Sequence, residues 1–241
     1  QSHAAACDDA RAVKDAAEQE AMRASSKVND DCMAEFEALI RPGITEKEMA
    51  EAIRGIYAAH GCSGVSFPPI CGFGAHAADP HHDNDDTPLE AGQCVLIDVG
   101  GVYQDYCSDM TRTFFTGEPS EEERKVYELV RQAQAAAEAL VKPGVRLCDI
   151  DAAARDLITE AGYGPYFNHR LGHFIGLEDH EAGDVSAVNE KVVTPGMCFS
   201  IEPGIYLPGK FGVRIEDLVL VTEDGCEVLN HYPHELRVHP F

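Results

Sequence analysis

The stretch that decides the fold is VLIDVGGVYQDYCSDMTRTFF, residues 95–115. Its first part, up to Val99, consists of the β-branched and aliphatic residues of a buried strand, and its last part predicts a return strand. Asp98 and Asp109 stand in these strands where apolar residues are expected. A buried carboxylate without a partner costs several kcal/mol, so we expect positive charge beside both of them.

The length and composition are those of one large globular domain. The chain has 241 residues, of which 44% are hydrophobic and 25% are charged, and this is enough to bury a sizeable core. No apolar run approaches the ~18 residues of a membrane span, and the polar start predicts no signal peptide. Because the formal net charge is −23 and there is no basic cluster, we expect no nucleic acid and no membrane among the partners.

Nine cysteines are scattered singly along the chain, without a Cys-x-x-Cys pair. An odd number of isolated thiols is typical of a reducing compartment and does not fit a disulfide framework. We therefore expect free thiols and a cytoplasmic location.

Helix signals flank the central stretch. The first forty residues are rich in Ala, Glu and Lys, with apolar residues at helical intervals, which predicts one long helix. Thr45 with Glu48, and Ser120 with Glu123, have the spacing of capping boxes. These pairs predict the starts of two further helices.

The chain repeats itself. Residues 39–61 align with residues 140–162, and residues 89–101 align with residues 193–205, which sets Asp98 on Glu202. Two long repeats fit a duplicated domain better than a solenoid, which needs three or more short units. We predict two related α+β halves packed around a pseudo-two-fold axis, so the acids of the two halves converge there.

A further acid completes the set. Glu216 interrupts the apolar strand predicted over residues 211–220 and is the counterpart of Asp109 in the second half. For one acid alone, a salt bridge to Arg112 or Arg214 is the simpler explanation. Four inward carboxylates cannot all ionise unless cations neutralise them, and two divalent ions supply four positive charges.

Histidines follow in HRLGHFIGLEDH, residues 169–180. Oxygen-dominated coordination with one imidazole favours Mn²⁺, and Co²⁺, Fe²⁺ or Zn²⁺ are also compatible. Two ions that share carboxylates activate water and polarise a carbonyl group. The pattern therefore indicates hydrolysis.

With these motifs, the chain resembles the catalytic domain of the methionine aminopeptidase, aminopeptidase P and prolidase superfamily, which is the M24 family with the pita-bread fold. The resemblance covers residues 10–235 and includes the "EPG" and "RIED" contexts of two ligands. It implies five metal ligands: Asp98, Asp109, His173, Glu202 and Glu216. By this resemblance, Asp109 and Glu216 bridge both ions, and Glu202 also shuttles a proton.

The segments SDMTRTF (108–114) and GVRIED (212–217) are similar to the Xaa-Pro branch of this family, prolidase and aminopeptidase P. The resemblance assigns catalytic roles to His81, His180 and Glu202. It assigns substrate binding or the orientation of neighbouring groups to His81, His169, His180, Tyr206 and Arg214. His82 matches no family position, and we expect it to be solvated.

Two departures from the family pattern affect our expectations. Phe174 stands where the family has glycine, and Ala182-Gly183 stand where a proline is usual, so we expect a reshaped pocket beside His180. We also expect residues 1–241 to form a single metallopeptidase catalytic domain, with pseudo-repeats over about 10–139 and 140–235. The N-terminal creatinase-like domain of the branch is absent from this sequence, either because the chain is part of a longer protein or because this member lacks it.

The expected activity is that of a dinuclear-metal exopeptidase that hydrolyses the Xaa-Pro bond of small proline-containing peptides. We favour an Xaa-Pro dipeptidase, because Arg214 fits a site that holds a free carboxylate. The alternatives are an Xaa-Pro aminopeptidase acting on longer peptides, a methionine aminopeptidase, and a pita-bread binding module without activity. A homodimer is left open.

Overall fold

The computed structural model describes residues 3–241, which form five α-helices and thirteen strands in addition to two short 3₁₀ turns. The helices are α1 (His3–Ala12), α2 (Ala16–Glu37), α3 (Glu46–Ala59), α4 (Glu121–Leu140) and α5 (Leu147–Glu160). The strands are β1 (Gly64–Val65), β2 (Ile70–Phe73), β3 (Cys94–Val99), β4 (Gly101–Tyr103), β5 (Tyr106–Cys107), β6 (Met110–Phe115), β7 (Gly172–Phe174), β8 (Glu181–Val185), β9 (Cys198–Ile201), β10 (Gly204–Leu207), β11 (Phe211–Arg214), β12 (Asp217–Val221) and β13 (Cys226–Val228). None of the helices within these residues is long and apolar enough to cross a membrane.

The prediction of one helix over the first forty residues is wrong, because the helix is interrupted between Ala12 and Ala16. Asp15 caps α2: its side chain accepts the backbone N–H groups of Ala17 and Glu18, and the Glu18 side chain accepts the N–H of Asp15. Asp15 and Glu18 have the same spacing as the two capping boxes predicted for α3 and α4, which are confirmed. The break was therefore readable in the sequence.

The two halves of the chain repeat the same arrangement. In the first half, β3 lies between β2 and β6 in an antiparallel sheet; in the second half, β9 lies between β7 and β12 in a five-stranded sheet. α3 and α5 are the equivalent helices, and each is 14 residues long. The predicted duplication of α+β halves is confirmed.

A backbone bridge joins the two halves beside the acidic residues. Thr111 of β6 forms an isolated antiparallel bridge with Glu216, and the Glu216 N–H donates to the Thr111 carbonyl at 3.1 Å. The strand predicted over 211–220 is split there into β11 and β12, so Glu216 lies in the gap between two strands. This bridge brings the acids of both halves to the same place.

Helices cover the outer faces of the two sheets. Residues of α2 and α3 pack with Val95, Ile97 and Val99 of β3 in one apolar cluster. Residues of α4 and α5 pack with Phe199 and Ile201 of β9 in a second cluster. The strands between these layers are rigidly held, which fixes the side chains at their ends.

A buried ionic network beside α4 lies next to the junction. Arg112 pairs with Asp217 at 2.8 Å, and both side chains are almost fully buried. Glu138 lies close to Asp217, and its Oε1 atom is buried without a hydrogen-bond partner in the described part of the chain. Burial, with the charge of Asp217, raises the pKa of Glu138 to about 8.

This shift predicts an unusual pH dependence of stability. The unfolded Glu138 carboxyl ionises near its ordinary value of 4.5, whereas the folded one keeps its proton up to about 8, so the free energy of unfolding falls as pH rises between these values. Glu138→Gln removes the ionisation. We expect its stability relative to the unmodified chain to increase by about 2–4 kcal/mol from pH 5.5 to pH 8.5 in urea titrations. Glu160→Gln, at an exposed carboxylate, is the control; an equal difference at both pH values would contradict the assignment.

Candidate metal centre and substrate pocket

Asp98, near the end of β3, has a positive partner for only one of its two oxygens. The Arg214 Nη2 atom donates to Asp98 Oδ2 at 2.6 Å, in a pair whose side chains are 2% and 11% exposed. Asp98 Oδ1 is buried and finds no hydrogen-bond partner among residues 3–241. A salt bridge, which is the simpler explanation, therefore accounts for one oxygen of this carboxylate and leaves the other oxygen without a partner.

Asp109 and Glu216 immediately precede the equivalent strands β6 and β12, and both are buried. The Thr111 hydroxyl donates to Glu216 Oε2 at 2.6 Å. Asp109 Oδ1 and Glu216 Oε1 are buried without a partner among the residues that the structure describes. Arg112, the other candidate for a salt bridge, is engaged by Asp217 instead.

The unprotonated ring nitrogen of His173, in β7, faces these acids. Its Nδ1 lies 3.1 Å from the Phe174 carbonyl, which can only accept, so the proton is on Nδ1. His173 Nε2 is then an acceptor, yet it lies 3.2 Å from Asp109 Oδ2 and 3.5 Å from Glu202 Oε1. Three acceptors that face one another at this distance need a metal ion or a proton between them.

Glu202 follows β9 directly, at the position that the repeat aligns with Asp98. The Ser200 hydroxyl donates to its Oε1 at 3.0 Å, and its side chain is 16% exposed. Burial, partly offset by the Arg214 charge, raises the pKa of Glu202 to about 8. A carboxyl with this pKa holds or releases a proton near neutral pH.

The electrostatics of the five residues fit divalent metal ions. Burial and the charges of neighbouring carboxylates raise the pKa values of Asp109 and Glu216 well above the ordinary range. Burial lowers the pKa of His173 to about 3, so its imidazole is neutral and free to bind a metal. Asp109, His173 and Glu216 each offer a ligand atom within 4.8 Å of the others. The unpartnered oxygens of Asp98, Asp109 and Glu216 are the donors that such ions require.

These residues form the floor of a cavity of about 600 Å³. An apolar part of its wall consists of Phe67, Pro68, Pro69 and Ile70. His81 lines the cavity from the neighbouring loop, whose Asn84 donates to the Pro69 carbonyl at 2.7 Å. A cavity of this size, apolar on one side and acidic at its floor, suits a small peptide.

The predicted substrate-binding histidines lie at different depths. His81 and His180 line the cavity; the His180 side chain is 58% exposed, and its ring centroid is 4.0 Å from that of His173. His169 also lines the cavity, but both of its nitrogens are engaged: Nδ1 by the Arg170 carbonyl and Nε2 by the Tyr206 hydroxyl at 2.7 Å. His180 is thus available to donate to a substrate, whereas both nitrogens of His169 already have partners.

Arg214 lines the cavity, and Tyr206 lies next to it; both orient other groups. Arg214 Nη1 donates to the Tyr206 hydroxyl at 2.8 Å, and its Nε donates to the Thr111 hydroxyl at 3.2 Å. With Nη2 on Asp98, each guanidinium nitrogen donates one hydrogen bond, so three of its five N–H groups are used. Because the Arg214 side chain is only 2% exposed and is held by these bonds, its visible role is to orient Asp98 and Tyr206.

Two cavity residues were missed in the sequence. Asp179 lines the cavity next to His180, and its Oδ1 atom is buried and unpartnered in the described residues. Arg170 also lines the cavity and is exposed. Both stand inside the segment HRLGHFIGLEDH, so an acid or a base next to a predicted histidine was the available signal.

Phe174 is not among the residues that line the cavity. It is 1% exposed and packs against Phe199, with ring centroids 5.5 Å apart. A Cβ atom on Gly183, whose φ is +117°, would come within 2.8 Å of the Phe174 ring. The glycine at 183 therefore makes room for the phenylalanine. The expectation of a reshaped pocket beside His180 stays a prediction.

His82 is not solvated as expected. Its side chain is 12% exposed, and its Nε2 lies 2.7 Å from an oxygen of Glu46, which is fully buried. This partner could not be predicted from the sequence, because Glu46 lies 36 residues earlier at the start of α3.

Comparisons with known proteins agree with this geometry. An uncharacterized peptidase of Staphylococcus aureus strain MSSA476 is 45% identical over 222 residues, which are 92% of this chain and 63% of that protein. An Xaa-Pro dipeptidase from Bacillus anthracis is 38% identical with a TM-score of 0.94, over 96% of this chain and 65% of that one. An X-Pro aminopeptidase from Thermotoga maritima is 40% identical with a TM-score of 0.93, over 96% of this chain and 66% of that one.

The chain thus spans a little under two thirds of the length of these relatives. The similarity to pita-bread proteins of the Xaa-Pro branch, expected from the sequence, is confirmed. The model of metallopeptidase family M24 matches residues 20–223, which is most of the chain. The chain therefore belongs to metallopeptidase family M24.

Proposed function

We propose that this chain is the catalytic domain of an exopeptidase that hydrolyses the peptide bond before proline, with two divalent metal ions as cofactors. One observation carries the proposal: several potential metal ligands converge on the floor of a cavity of peptide size. They are the unpartnered oxygens of Asp98, Asp109 and Glu216 and the unprotonated ring nitrogen of His173. Relatives that are named for Xaa-Pro substrates support the substrate class. All nine cysteines are free in the described residues, which supports a cytoplasmic location.

The five ligands would hold the ions as two sets that share Asp109 and Glu216. Four carboxylates and one imidazole favour Mn²⁺, and Co²⁺, Fe²⁺ or Zn²⁺ are compatible. When bound, such ions activate water and polarise the carbonyl group of the substrate.

The remaining steps belong to residues of the chain. His180, exposed at the cavity, donates a hydrogen bond to the carbonyl oxygen as negative charge develops on it. Glu202, with its raised pKa, takes a proton and passes it to the departing proline nitrogen. His81, which lines the cavity, binds substrate. Arg214 and Tyr206 fix Asp98 and His169, so they act by orientation.

Arg170 replaces Arg214 as the proposed partner of a substrate carboxylate. It is exposed and lines the cavity, whereas Arg214 is buried and engaged. A guanidinium in this place suits the free carboxylate of an Xaa-Pro dipeptide, which favours a dipeptidase. An Xaa-Pro aminopeptidase is the second candidate, since a relative of nearly equal similarity carries that name.

The proposed function predicts which substrate is cut faster and which residue moves the proton. Protein that has been stripped of metal and reloaded with Mn²⁺ is expected to release alanine from Ala-Pro faster than from Ala-Pro-Ala. Glu202→Gln is expected to lower kcat by about 10²-fold or more, because the proton shuttle is lost. Product assays in parallel check this. Faster release from the tripeptide would assign an aminopeptidase, and release from neither peptide would refute the proposed activity.

The second prediction concerns Arg170. Arg170→Gln is expected to raise KM for Ala-Pro by about 10-fold or more and to leave kcat nearly unchanged, since a charge-assisted hydrogen bond is worth about 1.5–3 kcal/mol. Steady-state kinetics measure both parameters. Alanyl-prolinamide, which lacks the carboxylate, is the matched control and should not distinguish the two proteins. An unchanged KM for Ala-Pro would remove Arg170 from the site.

A further inference from the structure

A second group of potential metal ligands lies outside the five predicted ones, at the edge of the cavity. His76 Nδ1 is 2.9 Å from Glu46 Oε1, and His82 Nε2 is 2.7 Å from Glu46 Oε2. The three ligand atoms all lie within 4.8 Å of one another. The two imidazole rings stand side by side, with centroids 4.3 Å apart.

Backbone hydrogen bonds hold the Glu46 carboxylate in a fixed orientation. The Phe73 N–H donates to Oε1 and the Asp85 N–H donates to Oε2, each at 3.1 Å. The carboxylate is fully buried at the first residue of α3. Hydrogen bonds of this kind orient the ligands in metal sites, and they leave one lone pair of each oxygen facing a histidine.

The group is open to solvent on the histidine side. The His76 side chain is 36% exposed and the His82 side chain is 12% exposed, and His82 also lines the main cavity. The surrounding loop carries Asp79, Asp83 and Asp86 and few basic residues. An ion can therefore reach the two rings, and the local charge attracts cations.

We propose that Glu46, His76 and His82 form a zinc site separate from the dinuclear centre. Two imidazoles and one carboxylate are a donor set that binds Zn²⁺ and leaves a fourth position for water. This set is rich in nitrogen, whereas the floor of the cavity is rich in oxygen, so the two sites differ in metal preference. On binding, each neutral ring keeps its single proton, which moves from the nitrogen facing Glu46 to the other ring nitrogen.

The same contacts also tie the loop that carries His81 to α3. If these contacts serve only to hold the loop, they need no metal and the residues should bind no zinc. A measurement of zinc binding therefore distinguishes the two roles, whereas a measurement of loop stability does not.

The test is a Zn²⁺ titration of the full chain loaded with Mn²⁺, followed by dialysis and elemental analysis of total metal per chain. The unmodified chain is expected to hold one ion more than His76→Asn, and His82→Asn is expected to bind this ion at least tenfold more weakly in calorimetry. His60→Asn is the matched control, because His60 Nε2 lies 2.6 Å from one oxygen of Glu35 without a second histidine. It should retain the additional zinc ion.

A second background separates this proposal from the proposed function. In a chain that also carries Asp109→Asn and Glu216→Gln, binding at the floor of the cavity is weakened, and one zinc ion should still be lost on His76→Asn. Equal zinc content with and without His76→Asn, in either background, would overturn the proposal whatever the activity of the enzyme. Because His76 and His82 are both partly exposed, either variant alone decides the question if the other fails to fold.

Discussion

The burial of negative charge at the junction of the two halves is the constraint on which the rest of the structure depends. Asp98, Asp109, Glu202 and Glu216 lie together there, and Arg214 is the one cationic side chain that pairs with any of them in the described residues. Carboxylates a few Å apart cannot all ionise in a protein interior unless cations neutralise them. Without metal, the site must hold protons, as the raised pKa values of Asp109, Glu202 and Glu216 indicate. Divalent ions would replace these protons and satisfy the unpartnered oxygens.

The duplicated fold supplies the precision that such a centre needs. Each half places one acid at or just after the end of a central strand and another just before the neighbouring strand, and the Thr111–Glu216 bridge joins the two halves. Helices hold both sheets from outside. The proposed metal ligands at strand ends are therefore positioned by the core. The proposed substrate contacts of His81, His180 and Arg170 come from loops, where a change in specificity would leave the acids in place.

The acids of the proposed centre could be picked out from the sequence because acids inside apolar strands are costly. Asp98 and Asp109 interrupt β-branched runs, and the repeat then pointed to Glu202. The interruption before α2 was signalled by Asp15 and Glu18 but was hidden by a composition that favours helix throughout. Long-range pairing was not readable: the hydrogen bonds of Arg214 to Asp98 and Thr111, and the burial of Glu46 beside His76 and His82, depend on residues distant in the chain. Arg170 and Asp179 were overlooked because only the neighbouring histidines of this segment were considered as functional residues.

The most direct measurement is anomalous diffraction at the manganese absorption edge from crystals of the Mn²⁺-loaded protein. Two peaks on the floor of the cavity are predicted, one beside Asp98 and one beside His173, with Asp109 and Glu216 contacting both. A single peak that leaves the oxygens of Asp98 without a cation would contradict the dinuclear assignment. The absence of any peak at the floor would mean that the buried carboxylates are neutralised by protons alone.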